Sequence, residues 1–110
     1  GRFAPTGFYL FDASRQQALL RQKSREEVLF AFGEVAGVTF GEEVTWDSDS
    51  SRIRKAWIRF MTAQGKVPNQ PVDRRCLLAM DVSDWPVSIA EAVADRAAGM
   101  IGVSVSVERK

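Results

Sequence analysis

The sequence predicts an α+β domain of strand–helix–strand–strand–helix–strand order, and three patterns lead to it. An aromatic run stands near the start, and two segments carry apolar residues at helical spacing behind capping signals. Later runs either alternate apolar and polar residues or are continuously apolar, as strands are.

Phe8-Tyr9-Leu10-Phe11, between Gly7 and Asp12, reads as the first strand because aromatic side chains suit a pleated, half-buried surface. Residues 13–23 are polar around Ala18-Leu19-Leu20 and suit a helical turn or two. Ser24-Arg25-Glu26-Glu27 has capping-box spacing, in which the serine accepts from an early helical N–H and Glu27 reaches back to the cap. Val28, Leu29, Phe32, Val35 and Ala36 then follow at helical spacing, and Gly37 is a natural stop, so a first helix is expected here.

Val38 to Trp46 alternates weakly and has room for one or two short strands. Asp47-Ser48-Asp49-Ser50-Ser51 is a turn, since these side chains bond their own backbone. Arg52 to Met61 reads as a strand with Ala56, Ile58 and Phe60 on one face and Lys55, Trp57 and Arg59 on the other. Residues 65–71, with two prolines, are a loop, and Arg75 to Val82 reads as a well-buried strand. Asp84-Trp85-Pro86 opens a second helix, because proline tolerates the first turn, and Ser88 to Glu91 offers another capping spacing. Ile89, Ala90, Val93, Ala94 and Ala97 form one stripe, ended by Gly99. Val103, Val105 and Val107 alternate with Ser104, Ser106 and Glu108 in a last strand. Assembled, residues 1–110 predict one ferredoxin-like βαββαβ sandwich, an antiparallel sheet with both helices on one face.

Composition limits the function. At 110 residues the chain can bury a core without disulfides or a metal. An apolar share of 45% with 26% charged residues is ordinary for a soluble globular protein, and the net charge of +1 means that any attraction to phosphate depends on how charge is arranged. Cys76 stands alone inside an apolar run and reads as a small buried hydrophobe. Histidine is absent, which removes the usual general base, the Ser-His and Cys-His pairs and the commonest transition-metal ligand. A non-catalytic module without a cofactor is therefore expected. No apolar run approaches the ~18 residues of a membrane span, and no signal peptide is visible, so an intracellular setting, cytoplasm or nucleus, is expected without a membrane partner. The chain starts without methionine and reads as a piece of a longer one.

Enzyme patterns fail on their chemistry. Gly33 to Gly41 resembles the phosphate loop of acylphosphatases, but Gly41 stands at the arginine position and Ala36 at the glutamine position. Asp47 with Asp49, and Asp81 with Asp84, suit turns and helix starts rather than an acid–base pair.

A sheet covered on one side offers its other face. That face is expected to carry Tyr9 and Phe11 from the first strand and Lys55, Trp57 and Arg59 from a central one. Rings beside cations suit single-stranded nucleic acid, with bases on the rings and phosphates on the cations. At these residues the chain resembles an RNA-recognition-motif domain. Phe8 to Asp12 is similar to that family's short first-strand motif, residues 24–33 to its first helix, and Ile53 to Phe60 to its longer central motif. The resemblance implies that Tyr9 and Trp57 stack bases while Lys55, Arg59 and Arg75 meet phosphates of single-stranded RNA. Ile53, Arg54 and Lys55 depart from the central motif. If residues 75–82 take that motif's place instead, its aromatics are gone, which implies a protein partner or a homodimer. Trp57 also suits a core position, and Arg52, Arg54, Lys55 and Arg59 a solvated strand edge.

Overall fold

The structure, a computed structural model, describes residues 7–62 and 76–109. Seven strands and one α-helix make up these residues: β1 Gly7–Asp12, β2 Gln17–Gln22, β3 Arg25–Ala31, a single 3-10 turn Phe32–Glu34, β4 Val35–Trp46, β5 Arg52–Thr62, β6 Cys76–Asp81, α1 Val87–Ile101 and β7 Val105–Arg109. They form two sheets. The strands β1-β2-β3 are an antiparallel meander, and the larger sheet has the order β6-β5-β4-β7. Strand β7 runs parallel to β4, while β5 is antiparallel to both β4 and β6. Thus β6 and β7 point the same way with two strands between them, and α1 crosses over to join them.

This overturns the ferredoxin-like βαββαβ expectation. The sheet is mixed rather than antiparallel, one helix is present among the described residues, and the place of the other is taken by the meander. The segment read as the first helix is β3, the 3-10 turn and the first residues of β4. Two signals misled. The supposed capping serine, Ser24, lies with Lys23 in the two-residue turn between β2 and β3, where Lys23 takes φ 51°. The segment is a strand with a bulge: Phe30 and Phe32, two apart, are buried, whereas Val28, which began the helical stripe, is 54% exposed, because the register shift at Ala18/Leu19 sets Phe30 opposite Ala18 and Val28 opposite Leu19, on the other face. β-Branched and aromatic residues in Val28-Leu29-Phe30-Ala31-Phe32 favour a strand once β2 offers a partner. Residues 17–22, within the 13–23 stretch expected to form a helical turn or two, supply that partner as β2.

Other expectations fare better. The first strand, the Asp47 turn, and the two-faced strand at 52–62 are present. Asp47 Oδ1 accepts from the backbone N–H groups of Asp49 and Ser51, closing the β4–β5 hairpin. The helix begins after Pro86 with no side-chain cap, so the Ser88–Glu91 spacing is not used. It passes Gly99 and ends at Gly102, whose φ of 93° is the left-handed conformation that a helix terminus favours. Strand β6 is an edge strand and only half-buried, as is Cys76.

One core serves both sheets. Val38 and Phe40 of β4 and Ala56, Ile58 and Phe60 of β5 form its floor. Onto it pack Ala90, Ala94, Ala97 and Ala98 of α1, and beside the helix Ala18, Phe30 and Phe32 of the meander. The alanine stripe allows the helix to lie close. The aromatic contacts are edge-to-face or tilted, with Phe11 and Phe60 centroids 5.2 Å apart and Phe30 and Phe60 5.6 Å apart. Helix and meander therefore share one face of the larger sheet, and the chain's functional interest moves to the other.

Candidate functional site

The outer face of the four-stranded sheet follows from the pleat. With Ala56, Ile58 and Phe60 turned inward, Lys55, Trp57, Arg59 and Met61 turn outward. Their cross-strand neighbours on β4 are Glu43, Gly41 and Thr39, and on β6 Asp81 and Ala79. Strand β7 adds Ser106 and Glu108. Lys55, Ala79, Asp81, Ser106 and Glu108 are exposed. The sequence-based placement of Lys55, Trp57 and Arg59 on one face thus agrees with the fold, although the fold itself differs.

Trp57 is only half-exposed, and its setting is particular. The indole lies over Gly41: a Cβ on that glycine would come within 2.1 Å of two ring atoms. The guanidinium carbon of Arg59 sits over the ring, 4.8 Å from its centroid. The indole Nε1 is buried without a hydrogen-bond partner. The ring thus lies on the β4 backbone along its Nε1–Cε2–Cζ2 edge and carries a guanidinium, so a base approaching from the Arg59 side meets the guanidinium first.

Beside this stack is a shallow depression of about 400 Å3 lined by Lys55, Trp57, Arg59, Ala79, Asp81 and Ser83. Asp81 and Ser83 close one end. The Ser83 hydroxyl donates to Asp81 Oδ1 at 2.6 Å and accepts from the Ala56 N–H at 3.0 Å, while the Ser83 N–H donates to the same carboxylate. These hydrogen bonds hold the Asp81 carboxyl below its ordinary range, with the charge of Lys55 adding to the effect.

Tyr9 and Phe11 do not belong to this face, because β1 lies in the other sheet. Phe11 is packed in the core against Phe30, Phe32 and Phe60, so its place in the expected stacking surface is withdrawn. Tyr9 is 40% exposed and lines a second groove with Phe8, Leu20, Asp81 and Trp85. Asp81 lines both depressions, so it is the link between Trp57 and Tyr9 across the β6 edge. Arg75 lies outside the described residues.

The charge on the outer face is mixed. Glu43, Asp81 and Glu108 stand among Lys55 and Arg59. Arg54, counted with the basic patch in the sequence, turns to the inner side. There it donates to Glu42 at 2.5 Å and to the Ser83 and Trp85 carbonyls, fixing the turn that leads into α1. The Arg54 hydrogen bond holds the Glu42 carboxyl below its ordinary range against the opposing effect of burial. Gly41, Asp81, Ser83 and Trp85 join the site only in the fold. An isolated glycine inside a strand pattern was the one available signal, since it marks a close approach.

Among the described residues no group of three or more cysteine, aspartate or glutamate side chains could hold a metal ion, and no helix is long and apolar enough to cross a membrane. No protein-family model matches the chain, and no curated protein or solved structure matches it.

Proposed function

We propose that this domain is a non-catalytic protein-binding module that engages its partner with the outer face of the β6-β5-β4-β7 sheet. The carrying observation is the Gly41–Trp57–Arg59 stack at the centre of that face. Trp and Arg are the residues most enriched among interface hot spots, where truncation costs about 2 kcal/mol or more. A ring pinned by Gly41 and Arg59 loses little freedom on binding, so less of its contact energy is offset by ordering. The mixed charges around it suit a complementary polar rim on a protein and disfavour a polyanion.

Single-stranded RNA is the second reading, and the observation in its favour is that Lys55 and Arg59 flank Trp57 on one face. Guanidinium planes also stack on bases. Three carboxylates on the same face weigh against it.

The test is selection of peptides from a random displayed library on the immobilised domain, paired with anisotropy of a labelled single-stranded RNA pool at two salt concentrations. Peptides whose binding is lost in Arg59→Glu, and RNA that binds neither protein, are expected. RNA binding that weakens steeply with salt and disappears in Arg59→Glu, with no peptide selected, would overturn the protein reading in favour of RNA.

A further inference from the structure

On the opposite side of the larger sheet, α1 and the meander do not close completely over Phe60. A cleft of about 150 Å3 remains there, lined by Phe11 and Phe60 below and by Met80, Val93 and Ala97 at its sides. Arg96 and Met100, four residues apart on α1 and so one turn from each other, form its exposed rim. Every lining residue except Arg96 is apolar. A space of roughly 150 Å3 is large enough to take a benzene ring.

The rim cation is what narrows the occupant. Among the described residues Arg96, like Arg25, Arg52 and Arg59, has no ion pair or hydrogen bond, whereas Arg15, Arg21, Arg54 and Arg109 are paired; of the unpaired four it alone stands at this cleft. An apolar cleft with a single uncommitted guanidinium at its mouth is complementary to a molecule with an apolar body and one anionic end. Planar guanidinium and planar carboxylate match through two parallel hydrogen bonds.

We propose that this cleft is a binding site for a small hydrophobic monocarboxylate, its apolar body against Phe11, Phe60 and Met80 and its carboxylate on Arg96. The two methionines make the site adaptable in shape, since their side chains are unbranched and polarizable. This site is separate from the outer sheet face and does not depend on the reading given to that face.

The chain's three methionines provide the test. Met80 and Met100 line the cleft, whereas Met61 faces the other side of the sheet. Protein labelled with 13C at the methionine methyls is titrated with 3-phenylpropanoate and, separately, with the neutral 3-phenylpropan-1-ol. Saturable shifts at Met80 and Met100 with Met61 unmoved are expected, with the carboxylate binding about tenfold more tightly than the alcohol. In Arg96→Gln the carboxylate should fall to the affinity of the alcohol, and Ala97→Leu should fill the cleft and abolish both. Unmoved Met80 and Met100 signals at millimolar probe would overturn the proposal. So would equal binding of acid and alcohol in the parent, or a response confined to Met61.

Discussion

The indole of Trp57 on β5 rests on Gly41 of β4, its direct cross-strand neighbour, so closely that no other residue fits beneath it without movement. Strand glycines are weak points because they lack a side chain to pack, and a neighbouring aromatic ring laid across one restores that contact. The relationship makes Trp57 a structural cover and a surface feature at once.

Gly41→Ala should therefore lower stability by about 1–3 kcal/mol, the usual range for forcing atoms into a filled space. Urea unfolding of this variant, of Trp57→Ala and of the double variant checks it. The two losses should be strongly non-additive, because the three atoms nearest the added methyl all belong to the indole. Strict additivity would mean that ring and glycine are independent.

Phe30 and Val28 separate the strand from the helix that local spacing suggests. Phe30 is 2% exposed and centred on the aromatic cluster, so Phe30→Ala should cost about 3–5 kcal/mol. Val28→Ala, on the outer side of the meander, should stay within about 0.5 kcal/mol. Chemical denaturation distinguishes them directly, and a reversed order would fit the helical register.

Glu42 gives an acid dependence. Its folded-state carboxyl lies below the ordinary 4.5 because Arg54 donates to it. The folded state thus binds fewer protons than the unfolded state just below that pH. The stabilisation is complete above about 4.5 and is lost as pH falls through the lowered folded value. Asp12, Glu26 and Asp81 are lowered too, so the contribution is isolated by difference. Glu42→Gln should cost about 1–3 kcal/mol at pH 7 and show a shallower decline between pH 5 and pH 3 than the parent. Parallel curves for parent and variant would remove Glu42 from the account.

Lys23 opens the two-residue turn between β2 and β3 with a φ of 51°, a conformation that glycine adopts without steric cost. Lys23→Gly should raise stability by about 0.5–1 kcal/mol, a few degrees in Tm. Thermal unfolding followed by circular dichroism measures it, and a decrease would show that chain entropy outweighs the relieved strain.

Local signals were enough for several elements. The aromatic strand at 7–12, the Asp47 turn, the helix after Pro86 and the alternation in 52–62 all rest on interactions within a few residues, and each is present. The same alternation placed Lys55, Trp57 and Arg59 together on the outer face, because side chains on a strand have no other periodicity available.

What the sequence alone determined is thus a set of faces and turns. Tertiary structure decided the rest. Residues 24–36 carry both a helical and a strand pattern, and pairing with β2 selects the strand by satisfying a full ladder of backbone groups and burying Phe30 and Phe32. Phe11 and Tyr9 alternate as a surface strand would, yet β1 joins the second sheet, so Phe11 is drawn into the core and Tyr9 to a neighbouring groove. The charge of the outer face depends on which strands meet there, since Glu43, Asp81 and Glu108 come from three different ones. Which strands become neighbours depends on long-range burial, a property of the whole chain that no short window of residues contains.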